Sequence, residues 1–500
     1  MAGTTNKSEN QTEKPLCIRS VRSNYLLNSL RLALSFLVPV AVFPYVSRIL
    51  GPENLGKVEF ANSIVSYFVL FTALGIPAYG VREIARRRDS TEERSRVVWE
   101  LTLVLLLTAA AGYAAYFVLV GLVPRMESEL VLFCIVAPNI LLSDFSYEWY
   151  YVGIEDQMYI TIRCIIVRLV QTAGIFLFIR NEDDYPLYAL ILVGMQGIST
   201  VFNITNLRKT VRFVRPQNLD VRRHLRPVLV IFASVVAVQV YTHLDVTMTG
   251  FFVGDRAVGL YTTANKFVRI VIALVTSLST VMVPRIENCL KNRDEDGCRR
   301  YLNISLGYIL ILSVPCSTGI ALLAPEIISL FAGSQYQESV LGIRLLSPVV
   351  VIVGLAHFTG LQILYPRREE WKYTVAVSVA AVVNLICNFA LIPVFRQNGA
   401  IIGTLAAELV GLAVQIGFAR KYLKRTDFAG LNTVKYFIAG AVMGMVLAAL
   451  PKFFSSSALR LAACVCTGAT VYAAVLLILR EKLSVALVRR AADFCKRKNV

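Results

Sequence analysis

Charged residues are scarce in this chain of 500 residues. Asp, Glu, Lys and Arg together make up 17% of the sequence, whereas a soluble domain carries about one quarter. Hydrophobic residues account for 56%. Apolar runs of about 20 residues, enough to cross a hydrocarbon layer roughly 30 Å thick as a helix, recur along the chain. This composition excludes a soluble fold and predicts an integral membrane protein.

Strict alternation of apolar and polar residues, the pattern of a membrane β-barrel, is also missing, so the spans are predicted to be helices. We predict an all-α integral membrane fold with about fourteen transmembrane helices. Their approximate ranges are 24–46, 58–80, 97–120, 129–150, 158–179, 186–207, 227–251, 262–284, 301–323, 341–364, 373–394, 399–419, 432–450 and 459–479.

The sequence lacks the motifs of common enzymes. It has no Walker-type phosphate loop, no catalytic triad and no metal-ligand spacing, and it contains only three histidines. Glu53 and Asp255 stand alone in short loops, which disfavours a membrane glycosyltransferase. We therefore expect a transporter without catalytic residues, metal or cofactor, which leaves coupling to an ion gradient or to the membrane potential as the energy source.

The Lys and Arg residues that give the net charge of +18 are concentrated in particular loops. Lys and Arg concentrate before the first helix, in 81–96, in 207–226 and after 479, with further basic segments at 285–300, 365–372 and 420–435. This positive-inside distribution predicts that both termini are cytoplasmic in the plasma (inner) membrane. The polar start of the chain has no signal-peptide pattern. Because the basic loops lack interleaved aromatic residues, no nucleic-acid partner is expected.

Two short segments of the chain resemble each other. ILGPENLGKVEFAN at 49–62 and FVGDRAVGLYTTAN at 252–265 align without a gap at an offset of 203, so that Gly51 matches Gly254 and Gly56 matches Gly259. Glycine in such a segment favours a backbone with positive φ or a close helix approach. Both segments follow the first predicted helix of a six-helix set, which indicates a parallel duplication.

The duplication predicts two pseudo-symmetric six-helix lobes around a central cavity, with two extra helices at the C-terminus. The predicted parts are a cytoplasmic tail 1–22, an N-lobe 23–210, a basic inter-lobe loop 211–226, a C-lobe 227–425, helices thirteen and fourteen in 426–480, and a basic cytoplasmic tail 481–500. In this arrangement helices one, two, seven and eight form the walls of the cavity.

Polar and cationic side chains line single faces of those predicted wall helices. Asn28 and Arg31 share one face of helix one, and Lys266 and Arg269 share one face of helix eight. A charge inside a span costs at least about 2.5 to 3.5 kcal/mol, so each needs a partner, water or a function. Arg31 has no acid at its depth, and neither has the deeper Arg168. Unpaired cations of this kind predict a cavity that receives an anion.

Other polar residues leave alternatives open. Asp245 lies as deep as Lys266 and Arg269, so one of these cations could be its ion-pair partner. Arg163 matches the depth of Asp144 and Glu148, which favours a structural pair. Glu408 is a lone acid in helix twelve and a candidate ligand for a coupling ion, as is Asp245. The amides of Asn62 and Asn265, placed equivalently in the two copies, are expected to face each other or a wet cavity.

The N-terminal region resembles the polysaccharide-unit flippases of the Wzx type, in the superfamily that also holds multidrug extruders and the lipid II flippase. The pattern R-x-L-G-x-x-x-x-G, then A-N, then Y-G-x-R-E-x-A-R is matched from Arg48 to Arg86. HLDVTMTGFFVGDRAVGLYTTANK and the later VMVPRIE resemble the seventh and eighth helices of this family. The similarity is strongest in 24–95 and 230–287.

The resemblance implies that the chain moves an undecaprenyl-diphosphate-linked oligosaccharide from the cytoplasmic to the outer leaflet by alternating access. It also implies membrane lipids, a polysaccharide polymerase and glycosyltransferases as partners. A diphosphate suits guanidinium and ammonium groups, so Arg31, Lys266 and Arg269 are predicted to engage it, with Arg168 and the three asparagines named above as further substrate contacts. The alternatives are a cation-coupled multidrug or metabolite antiporter and a non-transporting scaffold for polymer assembly.

Overall fold

The structure, a computed structural model, describes residues 21–211, 219–428, 430–449 and 457–486, and within them it consists of helices joined by short turns. The all-α membrane fold is therefore confirmed. Most of the predicted tails 1–22 and 481–500 and the middle of the loop 211–226 lie outside the described residues.

Nineteen α-helices follow one another in the described ranges. The first nine are α1 (Val21–Ala73), α2 (Ile76–Arg86), α3 (Thr91–Leu122), α4 (Pro124–Glu127), α5 (Leu130–Val136), α6 (Pro138–Asp144), α7 (Glu148–Gly153), α8 (Gln157–Phe178) and α9 (Tyr185–Leu207). The others are α10 (Arg222–Phe252), α11 (Asp255–Lys291), α12 (Glu295–Leu322), α13 (Ala324–Phe331), α14 (Ser339–Leu346), α15 (Val349–His357), α16 (Glu370–Phe395), α17 (Gln397–Leu423), α18 (Leu431–Ala449) and α19 (Ser457–Ile478). Short 3-10 helices at Glu182–Asp184, Ser334–Tyr336 and Tyr365–Arg367 and a π-helix at Phe358–Leu364 complete the series.

Twelve helical stretches in the described ranges are long and apolar enough to cross a membrane. One of them, Leu27–Ala73, contains most of the first and of the second predicted span, and it is broken at Gly51. The seventh predicted span lies in α10, which is not among the twelve. The count of fourteen therefore stays a prediction.

Three predicted spans are not straight helices. The second was drawn to residue 80, but α1 ends at Ala73 because Gly75 takes a left-handed conformation with φ 80° and Pro77 lies in the first turn of α2. The fourth, 129–150, is divided into α5, α6 and α7. The tenth, 341–364, is divided into α14, α15 and the π-helix. Proline and positive-φ residues interrupt the helices at these places, although Leu130–Gly153 and Ser339–Arg367 are each long and apolar enough to cross a membrane.

The described residues group into two compact units. The first contains the chain up to Pro39, Val65–Leu177 and Tyr188–Val235, and the second contains Val40–Ile64, Phe178–Leu187 and the chain from Val236 onward. The predicted lobe boundaries at 210 and 227 stay a prediction.

In the first unit a buried core joins α2, α3, α7 and the start of α10. Ile76, Leu101 and Tyr150 are fully buried in it. A polar chain runs through the same region: the Tyr79 hydroxyl and His224 Nδ1 lie 2.7 Å apart, and His224 Nε2 lies 2.7 Å from a carboxylate oxygen of Glu100. Arg223 also donates to Glu100. These bonds fix the start of α10 to α2 and α3.

In the second unit α11 is the central helix and packs against α12, α14, α15 and α17. Val258, Ala264 and Val275 on α11 are fully buried. Small residues allow close approach at these contacts: a Cβ on Gly342 would lie 3.5 Å from Ala264 Cβ, and one on Gly354 would lie 3.2 Å from Val275. Helices α16 and α17 form a hairpin, and α18 and α19 pack beside α12.

The repeated segments lie side by side in the second unit. Gly51 and Gly254 have φ values of 70° and 122°, and both precede a helix start. A Cβ on Gly56 would lie 1.8 Å from the carbonyl oxygen of Asp255, and one on Gly259 would lie 1.8 Å from that of Pro52. Pro52 and Asp255 are equivalent under the offset of 203, so the contact is reciprocal. Both expectations for these glycines, a positive φ and a close helix approach, are confirmed.

Candidate functional site

Arg31 in the first unit has an acidic partner, contrary to the prediction from helix depth. Its guanidinium forms an ion pair with Glu148, and its Nη2 donates to Asn28 Oδ1 at 3.0 Å. Glu148 is the first residue of α7, directly after Tyr147, which has φ 51°. The helix break displaces Glu148 from the position that a continuous helix would give it, which is why the depth comparison missed this pair.

The same carboxylate also pairs with Arg163, whose Nη2 lies 3.2 Å from Glu148 Oε2. A structural pair between Arg163 and an acid of the fourth predicted span was expected, and this part of the prediction is confirmed. The carboxylate of Glu148 is thus shared between two guanidinium groups.

A cavity of about 270 Å³ in the first unit brings Arg31 and Arg168 together. Its charged lining consists of Arg31, Glu148, Arg163 and Arg168, three cations against one anion. Arg168 Nη1 donates to Gln171 Oε1 at 3.1 Å, and no ion pair of Arg168 occurs in the described part of the chain. The cavity therefore carries an excess of positive charge. Its remaining polar lining is neutral: Ser35, Gln171, Gln196 and Ser199.

Lys266 in the second unit pairs with Glu59 and does not pair with Asp245. Its ammonium also lies 5.4 Å from the centre of the Phe43 ring. Glu59 belongs to the first copy of the repeated segment and lies three residues before Asn62, which is half-buried on α1. Sequence reasoning missed Glu59, although an acid inside a predicted span is itself a signal.

Arg269 lies one turn beyond Asn265 on α11 and is exposed. Its Nε donates to Asn265 Oδ1 at 3.4 Å, and the described residues provide it with no ion pair. The charge of Arg269 is thus not paired with a carboxylate among the described residues. The expectation that Asn265 faces Asn62 or a wet cavity stays a prediction.

Asp245 is held by neutral donors rather than by either cation. The hydroxyls of Tyr261 and Thr404 donate to its Oδ2 at 2.6 Å each. The amides of Asn384 and Asn388 donate to its Oδ1 at 3.0 and 2.6 Å. All five side chains are buried. The alternative of an Asp245 ion pair with Lys266 or Arg269 is contradicted by these contacts.

This cage around Asp245 was only partly predictable. Asn384 and Asn388 are four residues apart in the otherwise apolar span 373–394, and such an amide pair on one helix face could have been found from the sequence. Thr404 on α17 carried no such signal. Glu408, the other predicted ion ligand, is half-buried one turn farther along α17.

The family motif around α2 serves the fold. A Cβ on Gly80 would lie 2.5 Å from the Trp149 ring, so glycine allows α2 to pack against α7. Glu83 pairs with Arg86 at 3.3 Å and with Arg87. Burial favours the neutral acid at Glu83, but the hydrogen bond and charge of Arg87 outweigh it, so the pKa of Glu83 lies below its ordinary value.

A comparison with known families covers more than half of the chain. The model described as "Polysaccharide biosynthesis protein" matches residues 21–289, and a second model, described as MatE, matches residues 231–394.

The chain belongs to the polysaccharide biosynthesis protein family.

Individual relatives of this family member are transporters and flippases. It is 22% identical over 407 residues to a protein named "Putative O-antigen transporter" of Escherichia coli (strain K12), covering 80% of this chain and 97% of that protein. It is 27% identical over 194 residues to "Lipid II flippase MurJ" of Bacillus subtilis (strain 168), covering 37% and 34% of the two chains. The resemblance found in the sequence is confirmed, and the chain is a membrane transporter rather than an enzyme.

Solved structures share the fold. The structure described as "Lipid II flippase MurJ, inward closed conformation" matches with a TM-score of 0.72 and 17% identity, covering 92% of this chain and 99% of that one. At this identity the match shows the fold alone.

Proposed function

We propose that this protein is a flippase that moves an undecaprenyl-diphosphate-linked oligosaccharide, the repeat unit of a surface polysaccharide, from the cytoplasmic to the outer leaflet by alternating access. Membership of the polysaccharide biosynthesis family and the names of the relatives, an O-antigen transporter and a lipid II flippase, support a lipid-linked substrate.

The observation that carries the proposal is the cationic cavity of the first unit. Three arginines line it, two of them share the carboxylate of Glu148, and neutral amides and hydroxyls complete the wall. Guanidinium groups bind phosphate oxygens in pairs, and such charge-assisted bonds are stronger where water is partly excluded. The amides and hydroxyls suit the hydroxyls of a sugar.

Glu148 gives this cavity a way to hold its cations while substrate is absent. A buried cation without a partner is costly, and the shared carboxylate lowers that cost at Arg31 and Arg163. We infer that the diphosphate replaces Glu148 as the partner of Arg31. Lys266 with Glu59 is a second pair of the same kind in the second unit, and Arg269 supplies a further cation.

Coupling to an ion gradient is assigned to Asp245. The residues around it fit a monovalent cation, since the carboxylate, two hydroxyls and the amide oxygens are hard oxygen ligands. Asn388 Oδ1 is buried and accepts no hydrogen bond. Such an orphaned oxygen beside a carboxylate that no cation neutralises among its described contacts suits a bound cation, which would supply the missing positive charge.

The test of the function is export in living cells. In a strain that lacks the gene, lipid-linked repeat units should accumulate and surface polymer should be lost. The triple variant R31A/K266A/R269A should fail to restore polymer although the protein reaches the membrane in normal amount. Arg180→Gln, an exposed cation with no side-chain partner among the described residues, is the matched control and should restore export fully.

Each outcome decides between named functions. Full polymer in the gene-deletion strain would reject the flippase. Normal export by the triple variant would reject these cations as diphosphate contacts. A scaffold needs no charges within its spans, so loss of export in Arg31→Gln with intact assembly of polymerase and glycosyltransferases argues against that alternative. Unchanged export combined with altered drug resistance would favour the antiporter.

A further inference from the structure

A second concave site lies at one end of the helices of the second unit. Its volume is about 1240 Å³. It is formed where α11 ends and α12 begins, where the 3-10 turn Tyr365–Arg367 precedes α16, and where α17 ends. The positive-inside distribution places these segments on the cytoplasmic side. None of the predicted substrate residues lies in it.

Cations outnumber acids in this cavity. Six cations line it, against the four carboxylates of Glu287, Glu295, Asp296 and Glu370. The cations are Lys291, Arg299, Arg367, Arg368, Lys424 and Arg425. Arg425 pairs with Glu295 at 2.5 Å. The lining thus carries two positive charges in excess.

The guanidinium of Arg367, one of the cations that line the cavity, is held in place by its neighbours. It lies 4.4 Å from the centre of the Tyr422 ring, and its Nη1 donates to the carbonyl of Ile363 at 2.8 Å. Tyr422 is held in turn by donating to Glu369 at 3.1 Å. The Nη2 of Arg367 also donates to Cys298 Sγ at 3.6 Å. A guanidinium fixed by stacking and by these two hydrogen bonds retains further N–H donors for a ligand.

Four of the cations have no such partner. The side chains of Lys291, Arg299, Arg368 and Lys424 form no hydrogen bond or ion pair within the described ranges. Arg368 is also in the left-handed region with φ 57°, a conformation that favours glycine. An arginine at such a position costs stability, and a strained residue of this kind is a reason to look for a function.

The level of the cavity relative to the membrane is marked by aromatic residues. Tyr365 lines the cavity, and Trp371 follows it in the first turn of α16. They are 46% and 60% exposed. Exposed Tyr and Trp side chains prefer the headgroup level of a bilayer. A ligand carried by the membrane therefore fits this site better than a free anion from solution.

We propose that this cavity binds the phosphate of a membrane lipid headgroup. Arg299, Arg368 and Lys424 contact the phosphate, and Arg367 donates to it from a fixed position. Two lipids carry this chemistry at the inner surface: an anionic phospholipid and a polyprenyl diphosphate. Basic pockets between membrane helices on the cytoplasmic side are suited to such headgroups.

The test uses the full-length protein purified in detergent and native mass spectrometry of its lipid complexes. The probes are phosphatidylglycerol, undecaprenyl diphosphate, phosphatidylcholine and inorganic phosphate. We expect the triple variant R299Q/R368Q/K424Q to bind phosphatidylglycerol at least about tenfold more weakly, because each cation near an anionic headgroup contributes appreciably. The control K209Q/R222Q/R226Q loses the same charge from exposed residues of the first unit and should stay within about twofold of the parent protein.

Arg368→Gly keeps the test valid if the triple variant folds poorly. Glycine relieves the positive φ, so this variant should be at least as stable as the parent protein while binding the anionic lipid more weakly. The same dependence for undecaprenyl diphosphate would identify it as a second source of the phosphate and supports the site. Equal binding by the triple and control variants, equally strong binding of phosphatidylcholine, or tighter binding of inorganic phosphate than of either lipid would overturn the proposal.

Discussion

Gly56 and Gly259 contact each other's segment reciprocally. A Cβ on Gly56 would meet the carbonyl of Asp255, and one on Gly259 would meet the carbonyl of Pro52, each at 1.8 Å. Gly56 is related to Gly259, and Pro52 to Asp255, by the same offset of 203 in sequence. The repeated segments thus pack backbone against backbone at these two glycines. This close packing explains glycine at both positions without any role in transport.

Substitution of either glycine by alanine is expected to destabilise the protein by more than about 2 kcal/mol, because the carbonyl cannot move without its helix. The thermal unfolding midpoint of the purified protein measures this. Gly417→Ala is the control, since a Cβ there meets no atom within 4 Å. It should be neutral or stabilise by about 0.5 to 1 kcal/mol. An unchanged midpoint in Gly56→Ala would contradict the close contact.

The exchange of Glu148 for the diphosphate predicts opposite effects of two neutralising variants. Arg31→Gln removes a phosphate ligand and should weaken binding of undecaprenyl diphosphate. Glu148→Gln removes the competing carboxylate and should strengthen it, each by about fivefold or more for a partly desolvated charge. Binding to the purified protein is measured by titration. If Glu148→Gln weakened binding as Arg31→Gln does, Glu148 would be a positioning residue and not a competitor.

Much of the fold could be predicted because the patterns that indicate it depend only on the order of residues along the chain. Apolar runs mark helices, and the matched glycines of the repeated segments mark a positive φ and a close helix approach. Arg31 and Arg168, selected from the sequence as cations within spans, line one cavity. These features depend on residue type and on distance along the chain.

The ion-pair partners could not be predicted in this way. Arg31 and Glu148 are 117 residues apart, and Lys266 and Glu59 are 207 apart. Comparing depths assumes straight helices of uniform rise, and the break at Tyr147 alters both the level and the facing direction of Glu148. Partner choice therefore depends on helix breaks and rotations that the apolar pattern does not contain.

The cage around Asp245 predicts that a monovalent cation stabilises the protein. The unfolding midpoint should rise with Na⁺ or Li⁺ relative to an equal concentration of choline, since a ligand that binds only the folded state stabilises it by mass action. Asp245→Asn should lose this response and the dependence of transport on the cation gradient. Asp183→Asn, an exposed acid, is the control and should keep both. Identical midpoints of the parent protein in all three salts would contradict a cation at Asp245.

The pair of Glu83 with Arg87 predicts a stability that depends on pH. The pKa of Glu83 is lowered in the folded protein, so the unfolded chain binds more protons and the pair stabilises above the unfolded pKa of about 4.3. This stabilisation is lost as the pH falls through the lower folded pKa. The unfolding midpoint of Glu83→Gln should therefore decline less than that of the parent protein between neutral and acidic pH. A parallel decline of both would refute it.

Glu100 is predicted to stabilise the connection between the two sequence halves. It is fully buried and accepts from Arg223, from His224 and from the backbone of Asp220 at 2.8 Å. Glu100→Gln retains the shape but removes the charged acceptor of these three hydrogen bonds, and a hydrogen bond to a charged group contributes about 1.5 to 3 kcal/mol.

The unfolding midpoint should therefore fall clearly in Glu100→Gln, whereas Glu127→Gln, an exposed acid, should change it little. Because Tyr79, His224 and Glu100 form one chain of hydrogen bonds, the loss from His224→Ala should not add to that from Glu100→Gln. Fully additive losses would show that the two residues act independently, and the start of α10 would then be held to α2 and α3 by separate contacts.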